Sequence, residues 1–150
     1  MKYNSALIVY VGKTHKQHTQ ILKDLQDEAI SQQELNLPDA TAGVCAIEDE
    51  LVGKIAAVDV LVIYISAATK ENVCIATAIA TAQRLNKKVI AIWLENALPT
   101  DIGGAVGNFA DSVIVYGSAF KEILDDKPTA WVNPDGSPVP KRVIKKHTCG

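Results

Sequence analysis

The stretch "VDVLVIYISAATKENVCIATAIATAQRLNKKVIAIWL" (58–94) decides the fold. Within it, "DVLVIYIS" (59–66) is an unbroken apolar run rich in β-branched residues, the pattern of a strand buried on both faces. "ATKEN" turns the chain. Residues 71–86 then read as an alanine-rich helix, and "KKVIAIWL" (87–94) is a second buried strand. A strand, a helix and a strand in so short a span make one crossover of a parallel sheet, right-handed by the twist of its strands.

The pattern extends on both sides. "SALIVYV" (5–11) is a further apolar strand. From His15 to Ser31, Ile21, Leu22, Leu25, Ala29 and Ile30 recur at helical steps among Lys, Asp, Gln and Glu. Residues 34–37 are either a short strand or a loop. Val44, Ile47, Leu51, Ile55 and Val58 line one face of a second helix, with Glu48, Asp49, Glu50 and Lys54 opposite. A short helix fits after Pro99. "DSVIVYG" (111–117) is another strand, and Ser118 is placed to cap a last helix, "AFKEILDD". The expectation is an α/β, flavodoxin-like three-layer sandwich, with a parallel sheet of four or five strands and helices on both faces. Ala6, Ile8, Val9, Leu61, Ile63, Ile65, Val89, Ile90, Ile92, Val113 and Val115 are the expected buried strand residues. Residues 1–127 make the domain. Residues 128–150 form a basic tail, packed on it or extending from it, that holds four of the six prolines.

Composition narrows the classes. The chain has 150 residues, 48% of them hydrophobic, enough for one domain with a real core. A net charge of −2 gives no general reason to expect nucleic acid as a partner. No apolar run approaches the ~20 residues of a membrane span, and the start is a poor signal peptide. A cytoplasmic protein is expected, with no membrane partner. The three cysteines, Cys45, Cys74 and Cys149, are odd in number with no close pair. That argues against a disulfide framework and a zinc site, and makes Cys45 and Cys74 small core residues.

In such sheets ligands bind beyond the carboxyl ends of the strands. Gly12, Lys13 and Thr14 follow the first strand. Ser66, Thr69, Lys70, Glu71 and Asn72 follow the central one and open a helix, whose free N–H groups favour an anion. Glu95 follows the next strand. "GKT" (12–14) is no phosphate loop, because the glycine needed five residues earlier is Leu7. His15 and His18 lie three apart without a third ligand in view, so they are read as exposed helix residues and no metal is expected. Lys141, Arg142, Lys145 and Lys146 form a small basic cluster, read as a solvated end.

Taken together, "IEDELVGKIAAVDVLVIYISAATKENVCIATAIATAQRLNKKVIAIWLENALP" (47–99) resembles the prokaryotic TIR-like domains, relatives of Toll/interleukin-1 receptor domains and of the nucleoside deoxyribosyltransferase-like fold. The matching parts are the helix ending in "AAVDVLVIYIS", the turn from Ser66 to Val73, the helix containing Ala80, and "KKVIAIWL" followed by a proline. The resemblance spans residues 3–125 and is densest in the central third. It implies a TIR-like sandwich and, for many bacterial members, cleavage of NAD at the nicotinamide–ribose bond. Some join the product into an ADP-ribose-derived signal. Thoeris-type single-domain members act in anti-phage defence, where the signal activates a separate effector protein. NAD would then be a substrate, with no prosthetic group, and homo-oligomers are a further implication. Tyr10, Gly12, Lys13, Ser66, Thr69, Asn72 and Trp93 would border the nucleotide.

The sequence departs from that pattern at one decisive position. The family carries a glutamate three residues past the valine of the turn; here that position is Ala76. Cleavage passes through an oxocarbenium-like state that a carboxylate stabilises and an alanine does not. Three readings follow: a non-enzymatic adaptor or interaction module; a glutamate replaced by alanine to stop turnover; or another acid in its place, Glu71 or Glu95. A nucleoside deoxyribosyltransferase-like enzyme is the remaining alternative. An alanine among alanines is also ordinary packing of a helix against a sheet.

Overall fold

The computed structural model describes residues 3–125 and 130–139. Five strands form one sheet: β1 (Ser5–Tyr10), β2 (Ser31–Asn36), β3 (Val60–Ile65), β4 (Lys88–Trp93) and β5 (Ser112–Ile114). Every pairing between them is parallel, in the order β2-β1-β3-β4-β5. The order reverses between β1 and β3, where such sheets leave a crevice at their carboxyl ends. The helices are α1 (His18–Asp27), α2 (Glu48–Ala56), α3 (Val73–Arg84), α4 (Gly103–Phe109) and α5 (Ser118–Leu124), with a 3₁₀ turn at Pro99–Ile102 before α4.

Strand alternation splits the core into two layers. Leu7, Val9, Leu61, Ile63, Val89, Ala91 and Val113 face α2, α3 and α4. Ala6, Ile8, Val60, Val62, Ile90, Ile92 and Ile114 face α1 and α5. The flavodoxin-like sandwich expected from residues 58–94 is the fold observed, with five strands. Among the described residues no helix is long and apolar enough to cross a membrane.

Several local expectations are corrected. The first helix does not reach Ser31. It stops at Asp27, because Ala29 takes a left-handed conformation (φ 59°). The N–H of Ile30 then donates to Leu25 O and that of Ala29 to Gln26 O, the closing pattern of a Schellman motif. The chain turns at once into β2, a polar edge strand whose side chains are mostly exposed. Val44 precedes α2 and is 81% exposed, and Val115 lies past β5 at 38%. Cys45 and Cys74 are joined in a disulfide. The odd count misled: Cys45 lies just ahead of α2 and Cys74 in the first turn of α3, two adjacent helices on the same face of the sheet.

The tail contributes to the sheet. Trp131 forms a parallel bridge with Val113, and Val132 pairs with Pro138 across the "NPDG" turn. The sheet therefore gains a short contact beyond β5 from a segment past residue 127. Lys141, Arg142, Lys145, Lys146 and Cys149 lie outside the described residues.

Candidate functional site

Two corners at the carboxyl ends of the strands carry polar groups. The first is the β3–α3 corner. The hydroxyl of Thr69 accepts from Ser66 N (3.0 Å) and donates to Ser66 O (2.9 Å), while Ser66 Oγ accepts from Ala68 N (3.2 Å). These bonds fold residues 66–69 back on themselves. Asn72, 2% exposed, caps α3: its Oδ1 accepts from Cys74 N (2.8 Å) and Ile75 N (3.0 Å). Its Nδ2 donates to Pro38 O at 2.7 Å.

The remaining first-turn donors are also taken. Val73 N donates to Ala40 O (2.9 Å) and Asn72's own N–H to Thr69 O (3.3 Å). All four N–H groups that a helix start ordinarily leaves open thus have partners within the chain. The sequence expectation of free donors for an anion at this corner is corrected: Asn72 Oδ1 takes two of them, Thr69 O a third, and Ala40 O, from a loop more than thirty residues upstream, the fourth.

Beside this helix start lies a cleft of about 160 Å³, lined by residues 69–73, Ile75, Ala76, Ile102, Ala105 and Val106. Ligand pockets usually enclose about 300–1,000 Å³. Ala76 is exposed there. Of the two acids considered in its place, Glu71 lines the cleft and Glu95 does not. Gly103 holds the far wall close. Its φ is +73°, and a Cβ on it would lie 2.4 Å from Lys70 O.

The second corner lies on the α1 side of the sheet. His15, 5% exposed, accepts at Nδ1 from Gln17 N (2.9 Å), which leaves its proton on Nε2 when neutral. Burial pushes its pKa down, against the opposing pull of Glu95. His18 sits between Tyr64 Oη and Glu34 Oε1, each 2.7 Å away. Tyr64 is fully buried, and desolvation followed by the Glu34 charge pushes its phenol well above the usual range. Tyr10 stacks on Tyr64, with ring centroids 6.2 Å apart. Tyr116 donates to Asp24. Glu95 joins this group through Lys16 N (3.4 Å). Desolvation acts to raise its pKa, but hydrogen bonds from its own and Lys16's backbone, with the His15 and Lys16 charges, bring the net below the ordinary value.

The sequence-derived site residues therefore separate. Ser66, Thr69, Asn72, Glu71 and Ala76 share the first corner, and Tyr10 and Glu95 belong to the second. Gly12 (φ 82°) donates its N–H to Asn36 Oδ1 (2.8 Å), and Lys13 is exposed. Trp93 is 4% exposed and donates from Nε1 to Val132 O (2.8 Å), so its ring belongs to the core. His15 and His18 are not the exposed pair the spacing indicated; their nitrogens serve α1, β2 and β3. The disulfide and this cluster are the features that sequence reasoning missed.

The sequence matches no family model and no curated protein significantly. The structure does have a counterpart. It is similar to the sugar isomerase domain of the RpiR transcription factor from Sphaerobacter thermophilus, with a TM-score of 0.51 over 82% of this chain and 68% of that one. Sequence identity is 12%. The likeness is one of fold.

Proposed function

We propose that the chain is a TIR-like interaction module that acts in the cytoplasm by binding, not by cleaving NAD. One observation carries the reading: the start of α3, where the resemblance puts the nucleotide, offers no unpaired backbone donor and presents Ala76 to the cleft. The small volume of that cleft adds support, because a dinucleotide needs several times the space. The partners proposed are a second copy of the chain or a separate effector protein; the ADP-ribose-type nucleotide that the resemblance implies does not fit the cleft in this form.

A second reading keeps the enzyme. Glu71 lines the same cleft as Ala76, so an NAD-cleaving site with a displaced acid, or one silenced at position 76, has one carboxylate nearby. A single experiment separates the two. NAD consumption is followed, with products resolved by mass spectrometry, for the chain, for Ala76→Glu and for Glu71→Gln. The module reading expects no nicotinamide from the unaltered chain and self-association or effector capture on its own. Turnover by the unaltered chain, abolished in Glu71→Gln, overturns it. Turnover by Ala76→Glu alone identifies a silenced NAD-cleaving site. Base release from a nucleoside with NAD untouched points to deoxyribosyltransferase-like chemistry.

A further inference from the structure

Residues 38–47, between β2 and α2, are tied to the start of α3 at three points. Pro38 O accepts from Asn72 Nδ2, Ala40 O accepts from Val73 N, and Cys45 is bonded to Cys74. The first two are single hydrogen bonds, individually weak. The third is covalent and breaks only by thiol chemistry. We propose that the Cys45–Cys74 disulfide is a reducible latch, which holds the 38–47 loop over the N-terminus of α3 and releases it when a dithiol reductant opens the bond.

The geometry sets the course of the exchange. Cys74 is fully buried, whereas Cys45 keeps 4% exposure. Cys45 also lines an open depression formed by residues 45–50. A reductant thiolate therefore attacks Cys45 Sγ. The sulfur–sulfur bond breaks, a mixed disulfide forms on Cys45, and Cys74 leaves as a thiolate. The reductant's second thiolate then attacks the mixed disulfide, frees Cys45 and carries away the oxidised cyclic disulfide. Cytosolic disulfides are characteristically transient or redox-sensing, which suits a bond in the compartment proposed above.

Release changes what the corner offers. With the loop gone, Val73 N–H and Asn72 Nδ2 lose their acceptors, and α3 gains the open donor that it lacks in the latched form. The latch regulates the corner on which the proposed function rests, but its test involves neither NAD nor a partner. A failed latch and a failed module reading are thus separately visible.

The test uses the full chain with Cys149→Ser, so that maleimide labelling in denaturant counts only this pair. Intact mass is expected to show no adduct before dithiothreitol and two after. Hydrogen exchange is then compared in the two states under native conditions. Reduction is expected to speed exchange at Val73, and at Glu48, whose N–H donates to Cys45 O, by about tenfold or more, with β3 unchanged. Two adducts without reductant overturn the proposal. Unchanged exchange at Val73 and Glu48 also overturns it. So does a loss of protection in β3 equal to that at Val73, which would make the bond a staple of the whole domain.

Discussion

Replacing Asn72 tests the account of the β3–α3 corner. Its Oδ1 receives two helix N–H groups and its Nδ2 holds Pro38 O, in a site only 2% exposed. Loss of an N-cap side chain costs typically about 1 kcal/mol, within about 0.5–2. The bond to Pro38 O adds about 1 kcal/mol. Asn72→Ala should therefore lower the unfolding free energy by about 2 kcal/mol, read from urea melts of the oxidised protein. Asn72→Ser keeps a capping oxygen but is too short to hold Pro38, so it should cost about half as much. Asn72→Asp keeps the cap and adds a favourable charge at the helix start, yet it turns an oxygen toward Pro38 O. It should fall between the serine variant and the unaltered chain, or match serine. An alanine variant within about 0.5 kcal/mol of the parent would refute the reasoning, as would serine and aspartate variants as unstable as alanine.

Other expectations rest on single residues. Gly103→Ala places a Cβ 2.4 Å from Lys70 O at a φ of +73°, so urea melts should show a loss of at least ~2 kcal/mol; a neutral result would remove the close contact between α4 and the 66–72 turn. Ala29→Gly relieves a left-handed residue worth about 1–2 kcal/mol, against about 0.4–1 kcal/mol of added freedom in the unfolded chain. A net gain of about 0.5–1 kcal/mol should appear as a higher urea midpoint, and a loss would contradict the Schellman ending. His15 gives a pH dependence. Its folded pKa lies below 6.5, so the unfolded chain binds more protons there, and stability should fall as pH drops below 6.5. Glu95, lowered from 4.5, acts with the same sign only at more acidic pH. His15→Asn, whose Oδ1 can still accept from Gln17 N, should flatten the slope between pH 6.5 and 5; an unchanged slope would acquit His15.

Apolar, β-branched runs exposed β1, β3 and β4 directly, because a strand covered on both faces must be apolar at every position. β2 was hidden for the same reason inverted. "SQQELN" pairs only with β1, and most of its side chains meet water, so Leu35 alone marks it and residues 34–37 read as either strand or loop. The end of α1 was hidden by Ala29, which occupies the position that glycine usually announces. At the site, the absence of an acid at position 76 could be read from one residue. The closure of α3's last open donor could not, because Ala40 O reaches Val73 N only after the sheet has formed. The histidines were visible as a pair, but their partners Tyr64 and Glu34 come from two other strands.

The bridge from Trp131 to Val113 has a consequence for how the protein is made. Ala130 follows the end of β5 at Ile114 by sixteen residues. At about 5–20 residues per second of synthesis, β5 is available for one to a few seconds before its covering segment leaves the ribosome. During that interval Trp93 Nε1 lacks Val132 O, and the outer edge of β5 is open to any passing strand. β5 is three residues long, which keeps that temporary opening small. The brevity of β5 thus guards the nascent chain against mispairing until the chain itself supplies the cover.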